Sequence, residues 1–241
     1  MQDIITTNIL RFSELNSTNE FAKELAKTIS EKSSLEWTIV VADLQTKGKG
    51  RMGKSWYSPE GGLWASIIFS PTLPMSTSLL AGVAVCEAAR ELEVDAKIKW
   101  PNDILINNKK VAGILVEFEG NAVVLGIGIN LNIKEFPPEI SSTATSLYLE
   151  KGKPFVNEEV LELVINKLKE KYALIETNGV QKLLEAWRNY SVGLGKAVIV
   201  ETPSGIIQGK AIDIDVDGAL LLKLTNGNTQ RILAGECRIK E

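Results

Sequence analysis

The chain switches repeatedly between a helical hydrophobic period and a strand period. STNEFAKELAKTIS (17–30) brings Phe21, Ala22, Leu25, Ala26 and Ile29 back at three- and four-residue steps, which predicts a helix. Ser17, with Glu20 three residues later, reads as its capping box. WTIVVADL (37–44) predicts a strand. Residues 45–62 are rich in Gly and Lys, contain Pro59 and predict a long loop, after which GLWASIIFS returns as a strand. A long helix with an apolar stripe is predicted over 76–94. Four strands come next: AKIKW, DILIN, KVAGILVEF and AVVLGIGINLNI. Turn signals at Asn107-Asn108 and Gly120-Asn121 predict that they pair antiparallel. Two amphipathic helices are predicted over 157–176 and 180–190. From Lys196 the pattern changes to short strands separated by turns at Pro203-Ser204-Gly205, Asp217-Gly218 and Asn226-Gly227. That pattern predicts a small β-barrel of roughly 45 residues. The fold class expected is therefore α+β. A mixed, largely antiparallel sheet flanked by helices spans 1–192, and a small C-terminal β-barrel spans 193–241.

Composition narrows the chemistry. The chain has 241 residues, 44% hydrophobic and 24% charged, with a net charge of −3, so a polyanion site must be local. The longest nearly apolar run, Leu63 to Phe69, is too short to span a bilayer. MQDIITTNILRF has neither the basic nor the apolar part of a secretory leader. A soluble, cytoplasmic protein without a membrane partner is expected. Cys86 and Cys237 are far apart, without neighbouring ligands, and are expected to be buried small hydrophobes. The chain has no histidine. That removes Ser-His-Asp and Cys-His nucleophiles and the usual zinc sites. The chemistry must rest on Lys, Arg, carboxylates, backbone dipoles or a mobile cation.

GKGRMGKSW (48–56) fits the dinucleotide fingerprint G-x-G-x-x-G in its first six residues. That reading requires a helix opening on the last glycine and an acidic residue about 20 positions on. After Gly53 the chain instead runs through KSWYSPEGG into another strand, and the sequence around Ser70 is FSPTLP. The match is therefore set aside. The loop still carries Lys47, Lys49, Arg51 and Lys54 among Gly48, Gly50 and Gly53, with Trp56 and Tyr57 behind. Glycines let backbone approach an anion, cations neutralise it, and an aromatic offers a face to a base. A solvated basic loop or a nucleic-acid contact would share these features.

Three other stretches carry more information. KWPNDILINNKKVAGILVE (99–117) sets a polar turn between strands and places Lys110 at the start of an apolar strand. A cation there is costly unless an anion meets it. Gly113 leaves room for a ligand. Ser17-Thr18-Asn19 stands at a helix N-terminus, where a cap suffices to explain it. GIGINLNI (126–133) is a glycine-interrupted strand that would let a ring lie against backbone, with Asn130 as a polar handle.

In this order, STN, Q-x-x-G-x-G-R-x-G-x-x-W, KWPND, K-x-A-G-I-L-V-E, G-x-G-x-N and a small barrel, the chain resembles the biotin protein ligases over nearly its whole length. The resemblance implies a class II synthetase-like catalytic domain and a Src-homology-3-like C-terminal barrel. It implies ATP, Mg²⁺ and biotin, a biotinyl-5′-AMP intermediate, and transfer of biotin to a lysine of a carboxylase's biotin carboxyl carrier domain. A homodimer is implied as well. The family's repressor members carry a helix-turn-helix ahead of this domain; here the domain begins almost at Met1, so no DNA partner is expected. Carried over residue by residue, Ser17, Thr18, Asn19, Gln45, Gly48, Lys49, Arg51, Lys110 and Gly113 match biotin-binding positions. Arg51, Met52, Trp56, Lys110 and Asn130 match adenylate-binding ones. Arg51 and Lys110 match the groups at the carboxyl–phosphate junction, and Asp103 is a candidate for the second step. Lys49 and Lys54 stand where the family commonly has Arg, and Met52 departs as well. Residues 46–56 are expected to be mobile without ligand and to order over the adenylate. Lipoate ligation on a similar catalytic fold is the nearest enzyme alternative, and a nucleic-acid-binding module the more distant one.

Overall fold

Among the described residues, seven strands pair into one sheet: β1 (Asn8–Leu15), β2 (Thr38–Gln45), β3 (Leu63–Phe69), β4 (Lys97–Lys99), β5 (Asp103–Ile106), β6 (Lys109–Glu119) and β7 (Ala122–Ile129). The computed structural model describes residues 7–28, 37–71 and 74–240. The strand order is β1-β2-β3-β7-β6-β5-β4. β1 and β2 run parallel, connected through helix α1 (Thr18–Thr28), and the other neighbours are antiparallel. This is the mixed, largely antiparallel sheet expected. β1 was not foreseen. It is an edge strand whose Leu10 and Phe12 are half-buried, and its partner lies beyond a whole helix in sequence. The last two residues of the expected first helix lie outside the described residues.

Strand alternation divides the sheet into two faces. Ala65, Ile67 and Phe69 of β3, with Val123, Leu125, Ile127 and Ile129 of β7, join the main core. That core also takes in α2 (Thr77–Glu91), α4 (Asn157–Asn178) and α5 (Gln181–Tyr190), the last two lying beyond the short, unforeseen α3 (Leu147–Lys151). α2 is buried on nearly all sides and not along a single stripe, because α4 and α5 cover the side that the sheet does not. On the opposite face Val40, Ile68 and Val124 pack under α1 with Phe12 and Phe21. α1 reaches across part of that face, and the rest of it stays open.

The C-terminal strands β8 (Ala197–Thr202), β9 (Gly205–Ile214), β10 (Leu220–Lys223), β11 (Thr229–Ile232) and β12 (Glu236–Ile239) form a second, antiparallel sheet in the order β11-β10-β9-β8-β12. Val198, Val200, Ala211, Leu220, Leu222 and Cys237 fill its interior. Both cysteines are free and buried. Three ties dock this module on the first sheet's domain. The Trp100 indole donates to the Gly218 carbonyl at 2.9 Å, Ser76 donates to the Val216 carbonyl at 2.6 Å, and Arg188 forks onto Asp213 at 2.6 and 3.2 Å. No helix among the described residues is long and apolar enough to cross a membrane.

The hairpin joining β5 and β6 turns through Asn107 (φ 50°) and Asn108 (φ 63°), both left-handed. Asn tolerates this conformation and β-branched residues do not. Asn108→Val is expected to destabilise the protein by about 1–2 kcal/mol in urea unfolding, while Asn108→Gly leaves stability unchanged or raises it.

Candidate functional site

The open part of the sheet is a floor whose composition is set by register. One row runs Trp64–Gly128–Gly113–Asp103–Lys99 across β3, β7, β6, β5 and β4. The next runs Ser66–Gly126–Leu115. Glycine at 113, 126 and 128 keeps the floor low. A Cβ on Gly126 would collide with the Asn19 side chain, and one on Gly128 would stand 2.5 Å from Trp56 Nε1.

At the α1 end, polar side chains converge. Gln45 Oε1 accepts from the Thr18 amide at 2.8 Å and from the Thr18 hydroxyl at 3.1 Å, and Gln45 Nε2 donates to Ser58 Oγ at 2.8 Å. Ser58 donates in turn to the Trp56 carbonyl at 3.0 Å. Ser66 Oγ lies 2.7 Å from Thr18 Oγ1 and 2.6 Å from Asn19 Oδ1. Thr18 commits its own proton to Gln45, so the single Ser66 proton faces two acceptors and the cluster is short of donors. Asn19 Nδ2 donates to Glu117 at 2.9 Å, and Lys23 pairs with the same carboxylate at 2.7 Å. Ser17, Thr18 and Asn19 are all buried. The capping box is half formed. The Glu20 amide reaches Ser17 Oγ at 3.5 Å, while the Glu20 carboxylate turns to Lys23 at 2.6 Å and Lys49 at 2.9 Å.

The glycine-rich loop folds as a tight hairpin. Lys49 bridges Ser55, the Gly50 amide donates to the Lys54 carbonyl at 2.7 Å, and the Trp56 amide donates to the Gly48 carbonyl at 2.8 Å. Its tip, Arg51–Gly53, is a single 3-10 turn and not the start of a helix, so the dinucleotide fingerprint is accidental. Met52 takes a left-handed φ of 55° there and points to solvent. Arg51 is half-buried, and its Nη1 reaches Asn102 Oδ1 at 3.5 Å. Desolvation lowers the pKa of its guanidinium and the nearby Asp103 opposes that shift, yet a group of this basicity stays charged.

Lys110 meets the anion its position demanded: its ammonium is 2.5 Å from Asp103 Oδ1 and 4.8 Å from the Trp56 ring centroid. Trp56 lies flat over Gly113 and Gly128, with its buried Nε1–H unpartnered. With Lys110 it stands between two cavities. One, of about 190 Å³, runs from Ser17 and Gln45 past Arg51 and Asp103 to Glu236 at the edge of the C-terminal module. The other, of about 670 Å³, is lined by Gly48, Tyr57, Asn130, Phe136, Ile140 and Thr143.

The expected residues therefore gather in two adjoining spaces. Asn130 faces the second, and its NH₂ group also has a structural partner. Nδ2 donates to the Thr145 carbonyl at 2.9 Å, which ties the 143–147 segment to the sheet. Lys49 lines the first cavity while pairing with Glu20. Four participants were missed: Ser58, Ser66, Asn102 and Glu236. Ser66 left a signal, a hydroxyl inside an apolar strand at a position that alternation assigns to the open face.

Residues 12–134 match the biotin/lipoate A/B protein ligase family, and residues 193–239 match the biotin protein ligase C terminal domain. The chain belongs to the biotin protein ligases. The biotin protein ligase from Aquifex aeolicus in complex with biotin and ATP superposes with a TM-score of 0.85 at 33% identity, covering 98% of this chain and 99% of that one. The bifunctional ligase/repressor BirA of Bacillus subtilis is 36% identical over 98% of this chain and 75% of its own length. The biotin–[acetyl-CoA-carboxylase] ligase of Mycobacterium tuberculosis is 32% identical over 93% of this chain and 86% of its own.

Gly128→Ala is expected to lift the Trp56 ring from the sheet and change the intrinsic fluorescence. A Trp56→Phe background should abolish that difference; its persistence there would show that Trp56 does not rest on Gly128.

Proposed function

We propose that the two adjoining cavities bind biotin and the nucleotide, and that their boundary at Lys110, Arg51 and Asp103 is the reacting junction. The donor deficit at Ser66, Thr18 and Asn19 is the observation that carries this reading. A ureido ring brings two N–H donors to such a cluster, and its carbonyl can accept from Ser17. Gly113, Gly126 and Leu115 give the fused rings and acyl chain an apolar, low floor. The carboxylate then reaches Lys110. The second cavity, with the Tyr57–Phe136 pair and Trp56 on its walls, takes the nucleotide.

Two anions must approach for biotin's carboxylate to attack the α-phosphate. Arg51 and Lys110 reduce that repulsion and stabilise charge as the new O–P bond forms and pyrophosphate leaves. The carboxylate is already ionised at neutral pH, so this step needs no base. In the ligand-free chain Asp103 holds Lys110 in readiness; substrate carboxylate competes for that ammonium and frees Asp103. In the second step a carrier lysine amine attacks the acyl carbon, its proton passes to Asp103, and AMP leaves. Mg²⁺ belongs to the same reading and would be carried by the nucleotide's phosphates. A biotin carboxyl carrier domain as acceptor, a homodimer, a cytoplasmic location and a domain division at 192/193 belong to the same reading. The 3.0 Å bond from the Val192 amide to the Ile98 carbonyl, which ties the chain to β4 just before the second sheet, supports that division.

Biotin-dependent ATP–pyrophosphate exchange tests the assignment. Arg51→Ala and Lys110→Ala should each lose roughly 100-fold or more while keeping wild-type unfolding curves. Unchanged exchange in both would sink it. Asp103→Asn should leave exchange measurable but slow transfer from preformed biotinyl-AMP. The loss should shrink as pH rises toward the lysine amine's pKa of about 10.4, where the acceptor deprotonates without help. A pH-independent defect would remove Asp103 from proton transfer.

A further inference from the structure

The hairpin that carries Arg51 is tied down on both sides, and one of the ties crosses to the C-terminal module. On one arm Lys49 pairs with Glu20 of α1 at 2.9 Å; on the returning arm Lys54 pairs with Glu236 at 2.5 Å. Glu236 opens β12, which is laddered to β8, and the module itself is fixed by the Trp100, Ser76 and Arg188 ties. Glu236 is thus anchored, and the hairpin end is the side free to move. Lys54 lies three positions beyond Arg51 at the tip. Gly235, Glu236 and Cys237 also line the cleft, so the module forms its far wall.

We infer that Glu236 is a positioning residue: through Lys54 it straps the 48–56 hairpin across the cleft and keeps that hairpin closed over it. Both partners are largely solvent-exposed, with side-chain accessibilities of 63% and 44%, so the tie is weak and reversible. A strap over a reactive intermediate needs that property, since it must admit biotin, retain the adenylate and then release product. The effect falls on retention more than on bond formation, because Arg51 and Lys110 remain present when the strap is loose. The inference rests on the proposed site for its kinetic arm; its proteolytic arm does not.

Glu236→Gln and Lys54→Gln should each speed dissociation of biotinyl-AMP roughly two- to fivefold and raise the KM for biotin by a similar factor, with kcat for pyrophosphate exchange nearly unchanged. The double variant should be no worse than either single one. The charge swap Lys54→Glu with Glu236→Lys should recover retention. Tryptic cleavage after Arg51 should rise in the Gln variants and fall again in the swap. Wild-type dissociation and cleavage in the single variants, multiplying effects in the double, or no recovery in the swap would each overturn the inference. Absence of any retained adenylate in the wild type would instead overturn the site assignment, and the cleavage comparison would still report on the strap.

Discussion

Strand alternation in β3, β7 and β6 is the constraint on which the site depends. Each strand must fill a close-packed core with one set of side chains and leave the alternate set for the opposite face. Slipping the register by one residue would bury Ser66, Gly126 and Gly128 in the core and expose Ala65, Leu125 and Ile127. Glycine in a strand weakens it, and three of them on the floor weaken it further. The core face offsets that cost: β7 places Val123, Leu125, Ile127 and Ile129 against the helices from the same eight residues that supply Gly126 and Gly128. The register is therefore held from the core face of the sheet.

Over that floor the cleft is cationic: Lys49, Arg51, Lys54, Lys99 and Lys110 line it against Asp103 and Glu236. Lys110, Asp103 and Arg51 lie together on one cavity wall, with Lys110 paired to Asp103. Lys110 is the sharper case. Its strand position would be costly without a counterion, and Asp103 arrives across the β5–β6 hairpin to provide one. The irregular register between Ile104 and Leu105 brings Leu105 opposite Lys110 while Asp103 stays opposite Gly113. The turn at Asn107-Asn108, far from the cleft, is thus part of how the ion pair is set.

The legible parts of the sequence were those with a local cause. Turn chemistry revealed the hairpins, and hydrophobic period revealed α2, α4 and α5 to within a few residues. The order of the motifs was enough to name the family. The illegible parts depend on partners distant in sequence. β1 is a strand because β2 lies beside it, and nothing within NILRFSEL makes that certain. α3 is one short turn fixed by the Ser146 cap and by Asn130, whose carbonyl accepts from the Leu147 amide. Asn130 has a structural task the local sequence does not show, because the Thr145 carbonyl it donates to is 15 residues away. Ser58 could not be found at all: its value lies in orienting the Gln45 amide so that the carbonyl, and not the NH₂, faces Thr18.

The lysines of the loop suit what the loop has to do. Arg51 points inward and is half-buried, where a planar, weakly hydrated guanidinium with several fixed donors suits a spread anionic charge. Lys49 and Lys54 are more exposed, at 49% and 63%, and make single-point contacts with Glu20 and Glu236. An arginine at either place could fork onto the carboxylate and hold it longer. A lysine keeps the charge without the fork, leaving a tie that water and salt can loosen. The glycines between them let the hairpin turn tightly, with the Gly50 amide donating to the Lys54 carbonyl and the Trp56 amide donating to the Gly48 carbonyl. Here the tight turn closes a hairpin that leads on to β3, where a dinucleotide-binding turn would open a helix.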